Sequence, residues 1–135
     1  MNESRMPVRV RDVMKTTVDV VDGVITVADA LRRMKHVNNL ALIVDKRHPD
    51  DEYGIVLLAD IARQVLARDK SPERVNVYEI MSKPVVAVDP DMDIRYCARL
   101  FEKFGLSLAP VIEDDKVVGI VSYSGLVLKG MVPNL

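Results

Sequence analysis

The chain of 135 residues has one cysteine, no tryptophan and only 4% aromatic residues. A lone thiol, Cys97, forms no intrachain disulfide, and its presence points to a reducing compartment. Four Tyr and two Phe offer too few aromatic faces for a base-stacking platform. Net charge is nearly absent as well: 19 Lys and Arg against 20 Asp and Glu leave −1. That balance excludes an extended phosphate-binding surface for DNA or RNA, though not a local basic pocket. No apolar run reaches 18 residues. The most apolar stretch, 117–132, is interrupted by Ser122, Ser124, Gly125, Lys129 and Gly130, so no membrane span is expected. Met1 to Arg5 are followed by no apolar segment of the secretory type, and a cytoplasmic protein is expected.

What is present is aliphatic. Hydrophobic residues make up 49%, with 23 valines, a composition that favours strands and small α/β cores. The length suits one domain, or two small modules sharing a core. Folding at this size buries roughly two-thirds of the chain's surface, so neither a disulfide nor a metal is required to hold it.

The chain repeats itself. Asp12-Val13-Met14 recurs as Glu79-Ile80-Met81, and the same offset aligns Val27, Ala30, Leu31, Met34 and Val37 with Ile94, Cys97, Ala98, Phe101 and Phe104. Each set has the spacing of one face of an amphipathic helix. Further on, Leu40 to Asp45 match Leu108 to Glu113, and Gly54-Ile55-Val56 match Gly119-Ile120-Val121. The two copies span 8–70 and 71–135. Each predicts a helical turn ending in Met and a brief strand (Val18 to Val21; Val85 to Val88). A long helix follows, from Thr26 with Asp29 as a capping box, or from near Asp93 to Gly105. Two strands around a polar loop come next, then a closing helix. Leu58, Ile61, Val65 and Leu66 mark one face of the first closing helix. The second runs from about Ser122 to Lys129, with Gly130 and Pro133 ending it. The order is strand–helix–strand–strand–helix, twice, an α/β (α+β) architecture. A unit of about 60 residues exposes too much apolar surface alone, so the copies are expected to pack on each other.

Two copies in this order resemble the CBS domain pair, a pseudo-twofold module found in many regulators. The resemblance rests on the Asp/Glu-apolar-Met openings, on Leu108-Ala109-Pro110-Val111-Ile112, and on the closing Gly-strand-helix segments; it covers all but about the first seven residues. It implies a regulatory, ligand-sensing module that binds an adenosine compound, AMP-like above all, in the cleft between the repeats. The family's closing motif is Gly, two apolar residues, Ser or Thr, two residues, then Asp. A carboxylate there accepts hydrogen bonds from ribose hydroxyls, and a hydroxyl at a helix start meets a phosphate.

Here each copy carries half of that motif. Gly54-Ile55-Val56-Leu57-Leu58-Ala59-Asp60 keeps the acid but has Leu57 where the hydroxyl belongs. Gly119-Ile120-Val121-Ser122-Tyr123-Ser124-Gly125 keeps the hydroxyl and lacks the acid. By the resemblance, the pocket around Leu57, Ala59 and Asp60 takes its adenine walls from Lys83, Pro84, Val85 and Val86, with Ser107 and Pro110 nearby. The other pocket uses Ser122 with Lys15 to Val18 and Asn39. Asn38-Asn39 and Gly105-Leu106-Ser107 stand where phosphate-binding members often carry His, Arg or Lys, which favours AMP-like over polyphosphate ligands.

Plain alternatives stand beside these readings. Asp60 and Ser122 are also helix-capping residues by position. Pro84 and Pro110 also suit turns or strand edges. Cys97 suits a buried thiol, and the Arg63, Arg68, Lys70, Arg74 run suits a solvated surface. His36 and His48 have no third ligand at a metal-binding spacing. No motif supports catalysis, so the chain is read as a non-enzyme. No resident cofactor is expected, and the partners expected are a second copy, in a homodimer, and a regulated protein, with neither nucleic acid nor membrane. A degenerate pair acting as a dimerisation scaffold without nucleotide binding is the alternative function. Met34 and Phe101, equivalent on the two long helices, are expected to be buried near the contact between the copies.

Overall fold

The computed structural model describes residues 7–135, and Met1 to Arg5 lie outside the described residues. In chain order the elements are α1 (Val10–Val13), β1 (Val20–Val21), α2 (Val27–Arg33), β2 (Ala41–Val44), β3 (Gly54–Leu57) and α3 (Leu58–Ile61). They continue with α4 (Ile94–Phe104), β4 (Leu108–Glu113), β5 (Lys116–Ser122) and α5 (Tyr123–Gly125). The last turns of the closing helices, Ala62–Leu66 after α3 and Leu126–Met131 after α5, widen to π geometry.

The chain condenses into two units, and neither coincides with one sequence repeat. One comprises 17–85; the other comprises 7–16 together with 86–135. Each repeat's opening turn is therefore packed with the strands of the other repeat.

In the 17–85 unit, β2 is the central strand, parallel to β1 and antiparallel to β3, with Ala41 opposite Leu57 and Val44 opposite Gly54. All four residues of β2 are buried, as an aliphatic strand covered on both faces should be. Val75, Val77 and Ile80 from the second opening turn join Val27, Ala30, Leu42 and Val56 in the core. Backbone hydrogen bonds fasten that turn: Val27 N–H to Val75 O at 2.8 Å and Val77 N–H to Ile25 O at 2.9 Å.

The other unit repeats the scheme. β4 and β5 pair antiparallel with a bulge between Val111 and Ile112. Val10 and Val13 of α1 pack with Val88, Cys97, Phe101, Val111, Val121 and Leu126, and Val10 N–H meets Met92 O at 2.8 Å. α4 starts on Asp93, whose carboxylate accepts the Arg95 N–H, and ends on Gly105 at φ 66°. The left-handed conformation there is one that glycine adopts without a Cβ clash.

The matching Met and Gly of the repeat motifs form the same contact in both units. A Cβ on Gly54 would lie 2.9 Å from Met81 Sδ, and one on Gly119 would lie 2.9 Å from Met14 Sδ. The glycines let the opening turn's methionine lie against the strand.

Several sequence expectations are corrected. α2 stops at Arg33, and Leu31 and Val37 are exposed rather than part of one buried face. The cause is Asp19. Its buried carboxylate takes the N–H groups of Lys35 (2.9 Å) and His36 (2.8 Å), which would otherwise extend the helical ladder. Thr26 caps α2 by accepting the Asp29 N–H at 3.1 Å, but the Asp29 carboxylate turns to Arg32, so the box is half closed. The strand expected at Val85 to Val88 shrinks to a single parallel bridge between Val88 and Val111, in a segment flanked by Pro84 and Pro90. Gly130 does not end the last helix: a Cβ there would fall 2.5 Å from Ile94 Cδ1, so it serves close packing. Pro133 lies in a final turn, Val132–Asn134. Leu66 is 78% exposed, off the buried face of the first closing helix. Phe101 is fully buried within its own unit's core, edge-on to Tyr123 at 5.2 Å, whereas Met34 is only partly buried.

Candidate functional site

The starts of the two closing helices explain the split motif in physical terms. A helix leaves its first N–H groups without internal partners. A Ser at the N-cap and an acid three residues later satisfy them reciprocally. At α3 the acid half is present: Asp60 Oδ2 accepts the Leu57 N–H at 2.9 Å. At α5 the hydroxyl half is present: Ser122 Oγ accepts the Gly125 N–H at 3.1 Å and also lies 2.9 Å from Ser124 Oγ. Each repeat keeps one half of a capping box. The opening turns use the acid half too, Asp12 accepting the Arg9 N–H (2.9 Å) and Glu79 the Asn76 N–H (2.6 Å).

Asp60 has a second partner, Arg63, whose Nη2 lies 2.9 Å from Oδ1. The carboxylate is only 15% exposed and the arginine 68%. Leu57 closes β3 opposite Ala41, half-buried, and Ala59 is exposed on α3. Lys83 is bound elsewhere: its ammonium lies 2.7 Å from Asp51 Oδ1. That lysine, with the Arg47 and Glu52 N–H groups, holds the Asp51 carboxyl well below the usual carboxylate range. Pro84 follows through a cis peptide bond and is exposed. Val85 is half-buried and its N–H donates to Tyr53 O at 3.3 Å. Leu57, Ala59, Asp60, Lys83, Pro84 and Val85 thus belong to the 17–85 unit. Within it, Leu57 and Asp60 are brought together, while Lys83 to Val85 run beside the start of β3.

Val86, Ser107, Pro110 and Ser122 belong to the other unit. Ser107 and Ser122 are neighbours, since the Tyr123 N–H donates to Ser107 O at 3.0 Å. Pro110 is fully buried in β4, where its carbonyl accepts the Val88 N–H at 3.0 Å. Val86 is exposed. Of the residues named for the second pocket, Asn39 is buried and donates from its side-chain amide to Thr17 O at 2.6 Å. The 17–85 unit also carries a cleft of about 400 Å³ lined by Val24, Val44, Arg47, Tyr78, Met81 and Lys83, which shares only Lys83 with the candidate set.

Sequence reasoning passed over Asp51 and placed Arg63 on the solvated surface. Asp60 and Arg63 stand three apart, the spacing of a helical ion pair, and that signal was available. Asp51 sits 32 residues from Lys83, and no local pattern reports such a pair. Among the described residues no group of three or more His, Cys, Asp and Glu could hold a metal ion, and no helix is long and apolar enough to cross a membrane.

The CBS domain family matches this chain twice, at residues 10–67 and 77–129. The chain belongs to the CBS domain family. Its tandem copies form a mixed α/β CBS pair. The hexameric CBS-CP12 protein from bloom-forming cyanobacteria is 38% identical, with a TM-score of 0.88 over 94% of this chain and 73% of that one. The CBS domain pair of protein MJ0100, solved in complex with 5′-methylthioadenosine and S-adenosyl-L-methionine, is 25% identical, with a TM-score of 0.75 over 90% of this chain and 94% of that one. Homoserine O-acetyltransferase of Methanosphaerula palustris is 36% identical over 121 residues, which are 87% of this CBS pair and 23% of that protein. The CBS pair spans about half the length of the first curated relatives it matches.

Proposed function

We propose that this CBS pair is a regulatory module in which Asp60 holds the ribose of an adenosine compound, AMP-like rather than polyphosphate. One observation carries the reading: the first closing helix presents a largely shielded carboxylate, Asp60, three residues into its start. An anionic acceptor suits paired ribose hydroxyls, at about 1.5–3 kcal/mol per charged hydrogen bond. The similarity to a CBS pair solved with two adenosine compounds supports the ligand class. Gly125, at the matching place in the second repeat, has no side chain to offer, so one ligand per chain is expected.

The test is a thermal-shift panel with adenosine, AMP, ADP, ATP and S-adenosylmethionine, since a ligand raises apparent stability by mass action. Asp60→Asn is the decisive variant, because Asn retains an oxygen for the Leu57 N–H. Its shift should vanish, while Ser122→Ala should keep the shift. Unchanged binding in Asp60→Asn, or two equivalent sites by calorimetry, overturns the reading.

The capping roles of Asp60 and Ser122 favour a second reading, a scaffold without nucleotide binding, because they account for both residues with no ligand. It prevails if no adenosine compound shifts the unmodified protein. Under either reading we propose repeats at 8–70 and 71–135, a cytoplasmic non-enzyme and a homodimer. The similar cyanobacterial protein is hexameric, and sedimentation distinguishes dimer, hexamer and the 15.1 kDa monomer.

A further inference from the structure

Both oxygens of the Asp60 carboxylate already accept a hydrogen bond before any ligand arrives. Oδ2 holds the Leu57 N–H at 2.9 Å, a bond that belongs to the helix start. Oδ1 holds Arg63 Nη2 at 2.9 Å. The second bond is of a different kind, since Arg63 reaches back one turn from a side chain that is 68% exposed. An ion pair whose cation stands in solvent contributes little to stability. A ribose that approaches Oδ1 meets this guanidinium on the same oxygen.

Phosphate recognition raises the same residue. Leu57 supplies no hydroxyl at the helix start, and Lys83, the cation of the candidate set, is held by both oxygens of Asp51. Arg63 is a cation already beside the ribose acceptor, with a planar fork of donors suited to phosphate oxygens. The geometry points to Arg63 as the specificity-determining residue of the adenosine site. Its guanidinium competes with the ribose for Asp60 Oδ1, and once displaced it favours a ligand carrying a phosphate over the bare nucleoside. This rests on the Asp60 reading of the site.

The consequences have opposite signs for two ligands. Adenosine only loses by the competition. AMP recovers the loss, because the freed guanidinium has a phosphate to meet. Salt separates them further: screening at the exposed Arg63 end weakens the Arg63–Asp60 pair, so adenosine affinity should rise with ionic strength.

The experiment is calorimetric titration of adenosine and of AMP into the unmodified protein, Arg63→Gln and Asp60→Asn, at about 50 and about 500 mM salt, where screening lengths differ about three-fold. Thermal unfolding of each variant checks that it is folded. Arg63→Gln should bind adenosine up to about five-fold more tightly, the range of an exposed ion pair, and AMP less tightly. The rise of adenosine affinity with salt should disappear in that variant. If adenosine and AMP shift together, or neither shifts, the role of Arg63 is overturned. If Asp60→Asn abolishes binding of both ligands while Arg63→Gln leaves their ratio unchanged, the adenosine site stands and the Arg63 inference alone falls. If neither ligand binds the unmodified protein or Arg63→Gln, both fall together.

Discussion

Lys83 grips Asp51 with both carboxylate oxygens in reach, at 2.7 Å and 2.8 Å, and so ties the polar loop before β3 to the segment after the second opening turn. The Arg47 N–H adds a third contact to the same carboxylate at 2.9 Å. Asp51 is consequently held well below the usual carboxylate range, with Lys83 the largest cause. A carboxyl depressed in the folded state contributes stability that is complete above its unfolded value, about 3.9, and is lost as pH falls below it. Thermal midpoints of the unmodified protein and Asp51→Asn should differ by a constant amount from pH 7 to about pH 5, and the difference should shrink progressively below about pH 4, as pH falls towards the depressed folded-state value. Convergence already near pH 6 would assign the effect to another group.

The half capping boxes can be tested by removal and by completion. Ser122→Ala should cost about 0.5–2 kcal/mol in urea unfolding, the usual loss on deleting an N-cap oxygen. Leu57→Thr should supply the missing hydroxyl beside Asp60 and offset some of the burial lost with the half-buried leucine. Leu57→Thr should therefore be less damaging than Leu57→Ala. Equal losses would show that no cap had formed.

The equivalent glycines should not be equally sensitive. A Cβ on Gly119 would fall 2.5 Å from the Lys15 carbonyl oxygen, a backbone atom, whereas one on Gly54 first meets the flexible Met81 side chain at 2.9 Å. Gly119→Ala should lose about 1–3 kcal/mol, the cost of overpacking, and Gly54→Ala should lose less. Thermal or urea unfolding of both variants checks the order.

Phe101 is fully buried, and its ring meets the Tyr123 ring edge-on at 5.2 Å. Phe101→Ala should cost about 3–5 kcal/mol, with Met34→Ala below it because Met34 is only partly buried. A Phe101→Ala loss under about 1 kcal/mol would mean that the site collapses around the change.

Cys97 is buried on α4, and burial pushes its thiol up to about 11. A thiol protonated at neutral pH and closed to solvent reacts slowly. Labelling by a thiol reagent at pH 8 should be negligible in the native protein and complete in denaturant. Rapid native labelling would show that α4 opens.

The repeat, the α/β order and the CBS resemblance were legible because they rest on local spacing: three- and four-residue helical periods, Asp/Glu-apolar-Met openings and Gly before an apolar strand. Asp60 and Ser122 were legible as capping positions for the same reason, since an N-cap and its acid lie three residues apart. The sequence also ended α4 correctly at Gly105, where a left-handed residue stops the ladder. It misjudged α2, because the donors that would have extended that helix go to Asp19, some 16 residues earlier. Only the tertiary structure decided that each opening turn packs in the unit built by the other repeat's strands, and that Lys83 is committed to Asp51. Repeats that share one apolar pattern offer similar apolar faces, so periodicity reports which residues are buried and leaves open which copy buries them. That choice is made by side-chain fit and hydrogen bonds between segments far apart in the chain.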